Sequence, residues 1–197
     1  MSKNVVLAIF ALLFIGVCAI AYNIKSAYKI IPMSTSSQME IPAYADWREF
    51  TPQTKKFKVS LPAVPQAAHE TVDIPNSDKK RFYEMYVSQK LNGAIFMVSL
   101  ITYPPDYSIS DPHALLKEVI DEMAKTNPNN HLDKLTDKQF LNQPAYEFNL
   151  TNSDFGVEGM AFLAGKTAYL LTYISKNSAF NEDEYKHFIS TFQLISK

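Results

Sequence analysis

Cysteine is all but absent. The one cysteine, Cys18, lies inside an apolar run near the N-terminus, so the rest of the chain can hold no internal disulfide and no thiolate chemistry. Neither sign of charge is in excess: 19 Lys and Arg stand against 20 Asp and Glu, a formal net charge of −1. The basic residues are scattered among acidic ones rather than gathered on one helix or face, which argues against nucleic acid as a partner. Also missing are a Gly-x-Ser-x-Gly elbow, a Gly-rich phosphate loop, a His-Glu-x-x-His helix and a Cys-x-x-Cys pair. The four histidines, His69, His113, His131 and His187, fall in separate segments, and none has a second His or Cys at ligand spacing. No cofactor or metal is therefore expected, and no residue is assigned a catalytic, cofactor-binding or metal-binding role.

What is present begins with the apolar run from Val5 to Tyr22, preceded only by Met1, Ser2, Lys3 and Asn4. At about 1.5 Å per helical residue it reaches roughly 27 Å, close to the ~30 Å of a hydrocarbon core. Residues 1–22 are expected to enter a membrane as a transmembrane anchor or a signal segment. The length favours a retained anchor, whereas Ala19-Ile20-Ala21 favours cleavage before Tyr22. Both outcomes stand: a domain anchored in the inner membrane and held outside the cytoplasm, or a secreted, periplasmic one cleaved after Ala21. Lipidation at Cys18 fits poorly, because the branched Val17 directly precedes it.

Residues 23–45 carry Pro32, Ser34, Thr35, Ser36, Ser37 and Pro42 without an apolar period and read as a flexible linker. The domain is expected over 46–197, roughly 150 residues, enough for one hydrophobic core.

Within it, Phe57-Lys58-Val59-Ser60-Leu61 alternates as a strand that Pro62 and Pro65 stop. Arg81 to Leu91 and Ala94 to Tyr103 are β-rich runs around Asn92-Gly93, which predicts a two-residue hairpin turn. Asp111 followed by Pro112 predicts a helix start, with Leu115, Leu116, Val119, Ile120 and Met123 as its apolar stripe and an end near Thr126. Four more strands follow: His131 to Leu141, Ala145 to Asn152, Gly156 to Ala164 and Thr167 to Ser175, with Gly165-Lys166 as a tight turn. Asn181 caps a last helix whose Glu184 completes a capping-box pair and whose Tyr185, Phe188, Ile189 and Phe192 face inward. The fold class is therefore α+β, an antiparallel sheet with helices packed on it.

Several elements of this pattern also resemble the PsbP-like domain of the photosystem II extrinsic subunit and of bacterial envelope proteins. They are Trp47 before the first strand, the Phe57-x-Val59-x-Leu61-Pro62-x-x-Pro65 run, the Gly165 turn, the Tyr169-Leu170-Leu171 strand and the closing Phe188-x-x-Thr191-Phe192-x-Leu194 segment. The resemblance implies an αβα sandwich, exported behind a signal or lipid anchor, in a family used for binding and assembly more than catalysis.

Three side-chain groupings invite chemistry. His113, Lys117 and Asp121 share a helix face that could pass for a proton-transfer cluster but reads as a solvated polar face. Asp154 and Glu158 flank Gly156 in an expected hairpin; two oxygen ligands are too few for a dedicated cation site, so they read as ordinary turn residues. Lys55, Lys56 and Lys58 with Lys79, Lys80 and Arg81 would form one basic patch if their strand ends adjoin, or else a solvated edge that discourages aggregation. Pro104-Pro105-Asp106-Tyr107 is loop punctuation carrying an aromatic contact point. The function expected is a noncatalytic envelope domain that binds a protein or small ligand. The alternatives are an exported hydrolase with a site assembled from distant residues and an assembly subunit of a membrane complex.

Overall fold

A computed structural model describes residues 44–75 and 77–195. The segment Val5 to Tyr22, with Cys18, lies outside the described residues, as does nearly all of the linker. Among the described residues no helix is long and apolar enough to cross a membrane.

A seven-stranded sheet organises the chain. Its strands are β3 (Gln66–Asp73), β4 (Lys80–Gln89), β5 (Ile95–Thr102), β6 (His131–Phe140), β7 (Gln143–Thr151), β8 (Phe155–Ala164) and β9 (Thr167–Lys176). The spatial order is β3-β4-β5-β9-β8-β7-β6, and every neighbouring pair is antiparallel. Two meanders thus meet at the centre, where Ile95 pairs with Ile174 and Thr102 with Thr167. Helix α1 (Pro112–Ala124) carries the chain from the central β5 to the far edge at β6. A small antiparallel sheet, β1 (Arg48–Phe50), β2 (Phe57–Leu61) and β10 (Gln193–Leu194), has β2 in its middle, and α2 (Glu182–Thr191) leads into β10. The class is α+β.

Both faces of the large sheet are covered, and two cores result. Leu115, Leu116, Val119, Ile120 and Met123 of α1 pack on Phe148, Leu150, Val157, Ala161, Leu170 and Ile174. Tyr185 and Phe188 of α2, with Phe192, Trp47, Phe57, Val59 and Leu61, pack on Phe96, Val98, Leu100, Met160, Phe162, Tyr169 and Tyr173. Strand β9 at the centre is buried at all but its last residue, because alternate side chains enter alternate cores. Phe57, Phe162 and Phe192 stack or cross at 5.3–5.7 Å, an aromatic hub beneath the small sheet.

The structure departs from the sequence expectation at five places. The β4–β5 turn is not a two-residue hairpin: the Lys90 N–H bonds the Ala94 carbonyl and the Gly93 N–H bonds Lys90, which leaves a three-residue loop. A two-residue type I′ turn needs positive φ at both central residues. Here Gly93 alone has it, at 91°. The true two-residue loops are Gly165-Lys166, with glycine at φ 61°, and Leu141-Asn142, where both residues take positive φ. Strand β3 was not expected, since six of its first residues are exposed on both faces and no apolar alternation marks them. The short β1 and β10 carry no local signal either. Asn181 does cap α2 through the Asp183 and Glu184 N–H groups, but the Glu184 carboxylate turns inward instead of completing a capping box. Finally, Tyr44, inside the expected linker, stacks on His187 with ring centroids 3.9 Å apart.

Candidate functional site

Polar side chains that enter the two cores are the places where chemistry could reside, since burial must be offset by partners. On the α1 face, Arg81 is 1% exposed and donates two bonds to Glu122 of α1, at 2.9 and 2.8 Å. It also donates to the Tyr103 hydroxyl at 3.3 Å, and its guanidinium lies 5.2 Å from the Tyr83 ring centroid. This arrangement ties β4 to α1.

On the α2 face, buried Glu84 pairs with Lys56 and accepts from the Tyr86 hydroxyl at 3.3 Å. The neighbouring Tyr169 phenol is pushed up to about 12 by burial, with Glu84 adding to the effect. Glu184 of α2 accepts from Lys90 at 2.6 Å and from the Tyr173 hydroxyl at 3.3 Å. The two triads fasten the layer above the sheet to β4, the residue that follows it, and β9.

A third grouping contains two buried oxygens without a hydrogen-bond partner among the described residues; Trp47 Nε1, Arg81 Nε and Thr172 Oγ1 are also without one. The register places Asn149 opposite Glu158, and Glu158 stands two residues before Met160 on the face that meets α2. Glu147, two residues before Asn149, shares that face. Tyr185 of α2 enters the core on that face; it is 5% exposed, and its hydroxyl has no hydrogen-bond partner among the described residues. One oxygen of Glu158, Oε2, is likewise buried and unpartnered. Burial pushes the Tyr185 phenol far up, with Glu147 and Glu158 adding to the rise. Burial also holds the Glu158 carboxyl above the carboxylate range, followed by Glu147 and Glu182, while Lys134 and Lys186 oppose. The surrounding cations are engaged elsewhere: Lys134 and Lys138 lie 3.1 and 3.9 Å from Glu147, and Lys186 lies 2.8 Å from Glu182.

The groupings singled out from sequence are dispersed. The basic patch dissolves into separate pairs: Lys56 with Glu84, Lys58 with Glu49, Lys79 with Asp106, Lys80 with Asp73 and Arg81 with Glu122. Asp154 sits in the β7–β8 loop and Glu158 four residues along β8, so ~13 Å of extended chain separates them. Lys117 and Asp121 form an exposed pair at 2.7 Å, while His113 lies against Tyr146 and 3.7 Å from Asp137. Tyr107 stacks on Tyr103 within a loop held by Lys79 and Lys166. The histidines occupy the two outer strands and the two helices: His69 on β3, His131 on β6, His113 on α1 and His187 on α2. Among the described residues no group of three or more His, Cys, Asp or Glu is placed to hold a metal.

Sequence reasoning left Glu84 and Glu147 unmarked, gave Glu184 only a capping role, placed Tyr185 in the buried stripe where the structure has it, and read Glu158 as a turn residue although it lies within β8. The one available signal was a carboxylate at an inward-facing register position. With both sheet faces buried, no alternation marked which positions those were.

The fold is thus an α+β domain with polar constellations enclosed between sheet and helices. No family model matches the chain, and no curated protein matches it. Among solved structures it is similar to the crystal structure of PA94 from Pseudomonas aeruginosa, a protein of unknown function. The identity is 10%, the match covers 77% of this chain and 97% of that one, and the TM-score is 0.45.

Proposed function

We propose that this chain is a membrane-tethered, noncatalytic binding module of the PsbP-like type, an αβα sandwich held outside the cytoplasm by the segment Val5 to Tyr22. The observation that carries the binding role is that Glu158 Oε2 of β8 and the Tyr185 hydroxyl of α2, both on the α2 face of the sheet, are buried without a hydrogen-bond partner among the described residues. Most buried polar atoms in folded proteins are paired, so unpartnered oxygens on one face are where a ligand would gain hydrogen bonds. The sandwich assignment is supported by α1 and α2 lying in separate cores on opposite faces of the sheet. The apolar length of Val5 to Tyr22 supports the tether.

The reading is tested in intact cells. A reporter active only after export, fused at Lys197, should be active, and an inactive reporter on a stably expressed fusion would sink the topology. A photo-reactive residue at Lys134, which the register places opposite Asn149 and so one strand from Glu158, should give a discrete adduct that the same residue at His69, on the opposite sheet edge, does not. Equal labelling from both positions would remove the binding role.

A further inference from the structure

Building on the membrane-tether reading, we propose that the end of the large sheet marked by Val64, Leu91 and Phe180 rests on the bilayer that holds the segment Val5 to Tyr22.

The large apolar side chains exposed among the described residues are Val64, Leu91, Leu141 and Phe180. Scattered singly they would need no explanation, but three of them gather at one end of the sheet. Val64 lies two residues before β3, whose Gln66 pairs with Val87, and its neighbour Ala63 exchanges hydrogen bonds with the Ser88 hydroxyl at 2.8 and 3.1 Å. Leu91 is in the loop joining β4 to β5, where Gln89 pairs with Ile95. Phe180 follows β9, whose Ile174 pairs with Ile95, and lies against Tyr173 at 5.6 Å. The three therefore sit at the same end of the neighbouring strands from β3 to β9, a width of ~14 Å. Leu141, in the β6–β7 turn, is at the other end. Packing does not account for Val64 and Leu91: they are 92% and 96% exposed, so polar residues there would serve the fold equally well, whereas lipid contact takes both side chains out of water.

The chain enters the domain at that same end. Tyr44 stacks on His187 of α2 at 3.9 Å, and Trp47 packs edge-on against Phe96, the residue after Ile95, at 4.8 Å. Arg48 pairs with Leu61, two residues before Ala63. Residues 23–43 separate Tyr22 from Tyr44, and a coil of that length has an r.m.s. span of ~25 Å. The opposite end of the sheet stands a strand length, ~30 Å, farther off. An anchor at Val5 to Tyr22 thus brings the apolar end to the bilayer first. Charge is not what this end offers: Lys90, beside Leu91, is paired with Glu184 at 2.6 Å, and Glu182, near Phe180, with Lys186 at 2.8 Å. The contact is apolar, so zwitterionic lipid suffices.

The test places the full-length protein, with Cys18→Ser removing its one native thiol, in phosphatidylcholine vesicles with and without 5-doxyl phosphatidylcholine. A nitrobenzoxadiazole fluorophore is attached at Ala63→Cys, beside Val64, or at Gln139→Cys, near Leu141. Doxyl lipid should quench the label at Ala63→Cys and leave the one at Gln139→Cys bright. Val64→Ser with Leu91→Ser, both on exposed side chains, should lower the docked-to-free ratio read from that quenching about 10-fold or more. Equal quenching at the two positions, no quenching at Ala63→Cys, or quenching undiminished in the double variant would each overturn the proposal. So would shielding of the Ala63→Cys label that grows with protein density and ignores doxyl lipid, which would assign the patch to a second copy of the chain. Flotation with the vesicles reports the tether by itself. A chain that stays behind refutes the tether and this docking together, whereas a floating chain with an unquenched label at Ala63→Cys refutes the docking alone.

Discussion

Glu158 occupies β8 between Gly156 and Met160, all three facing α2, and nothing within four residues compensates its charge. Its carboxyl is held above the ordinary value of 4.5 by burial and then by Glu147 and Glu182, against Lys134 of β6 and Lys186 of α2; Tyr185 is the remaining titratable group facing it. The folded chain therefore binds this proton more tightly than the unfolded one. The resulting stabilisation is complete below pH ~4.5 and is lost as the pH rises through the raised folded value. Denaturant titrations between about pH 4 and about pH 8 should show wild type losing stability relative to Glu158→Gln as pH rises. A pH-independent difference would mean that Glu158 titrates normally. Residues that act on their own backbone were legible in sequence: Asp111 accepts from the His113 and Ala114 N–H groups at 2.9 and 3.1 Å, as its place before Pro112 implied. Glu184 was not, because Lys90, 94 positions earlier in the chain, outcompetes its local capping role.

At the scale of elements, β2, β4 to β9 and both helices could be read from periodicity and caps. Strand β3 could not, since an edge strand exposed on both sides needs no apolar alternation. β1 and β10 exist only because β2 lies between them. The tie between β4 and α1 was equally hidden: Arg81 looked like part of a surface patch and is instead buried against Glu122. Removing one partner of such a pair strands the other charge. Glu122→Ala is expected to cost about 3–5 kcal/mol, whereas Arg81→Met with Glu122→Leu should recover most of that loss. Chemical denaturation of the two variants measures both numbers. A double variant no more stable than Glu122→Ala would show that the pair does more than join two elements.

At the scale of the molecule, one sheet serves two cores, and β9 contributes side chains to both. The two cores should therefore melt together. Leu116→Ala on the α1 side is expected to cost about 2–5 kcal/mol, and Phe188→Ala on the α2 side about 3–5 kcal/mol. Each should shift a single transition seen alike in near- and far-ultraviolet circular dichroism. Two resolved transitions in either variant would show the cores to be independent. What the sequence by itself determined is local: where helices start, which runs are strands, and where Gly165 turns the chain, because caps, turns and periodicity are settled by residues within a few positions of each other. Only the tertiary structure decided that β5 lies beside β9, that Arg81 is buried and that Lys90 reaches Glu184. These follow from which surfaces the chain can bury together, and that choice depends on contacts between residues far apart in sequence.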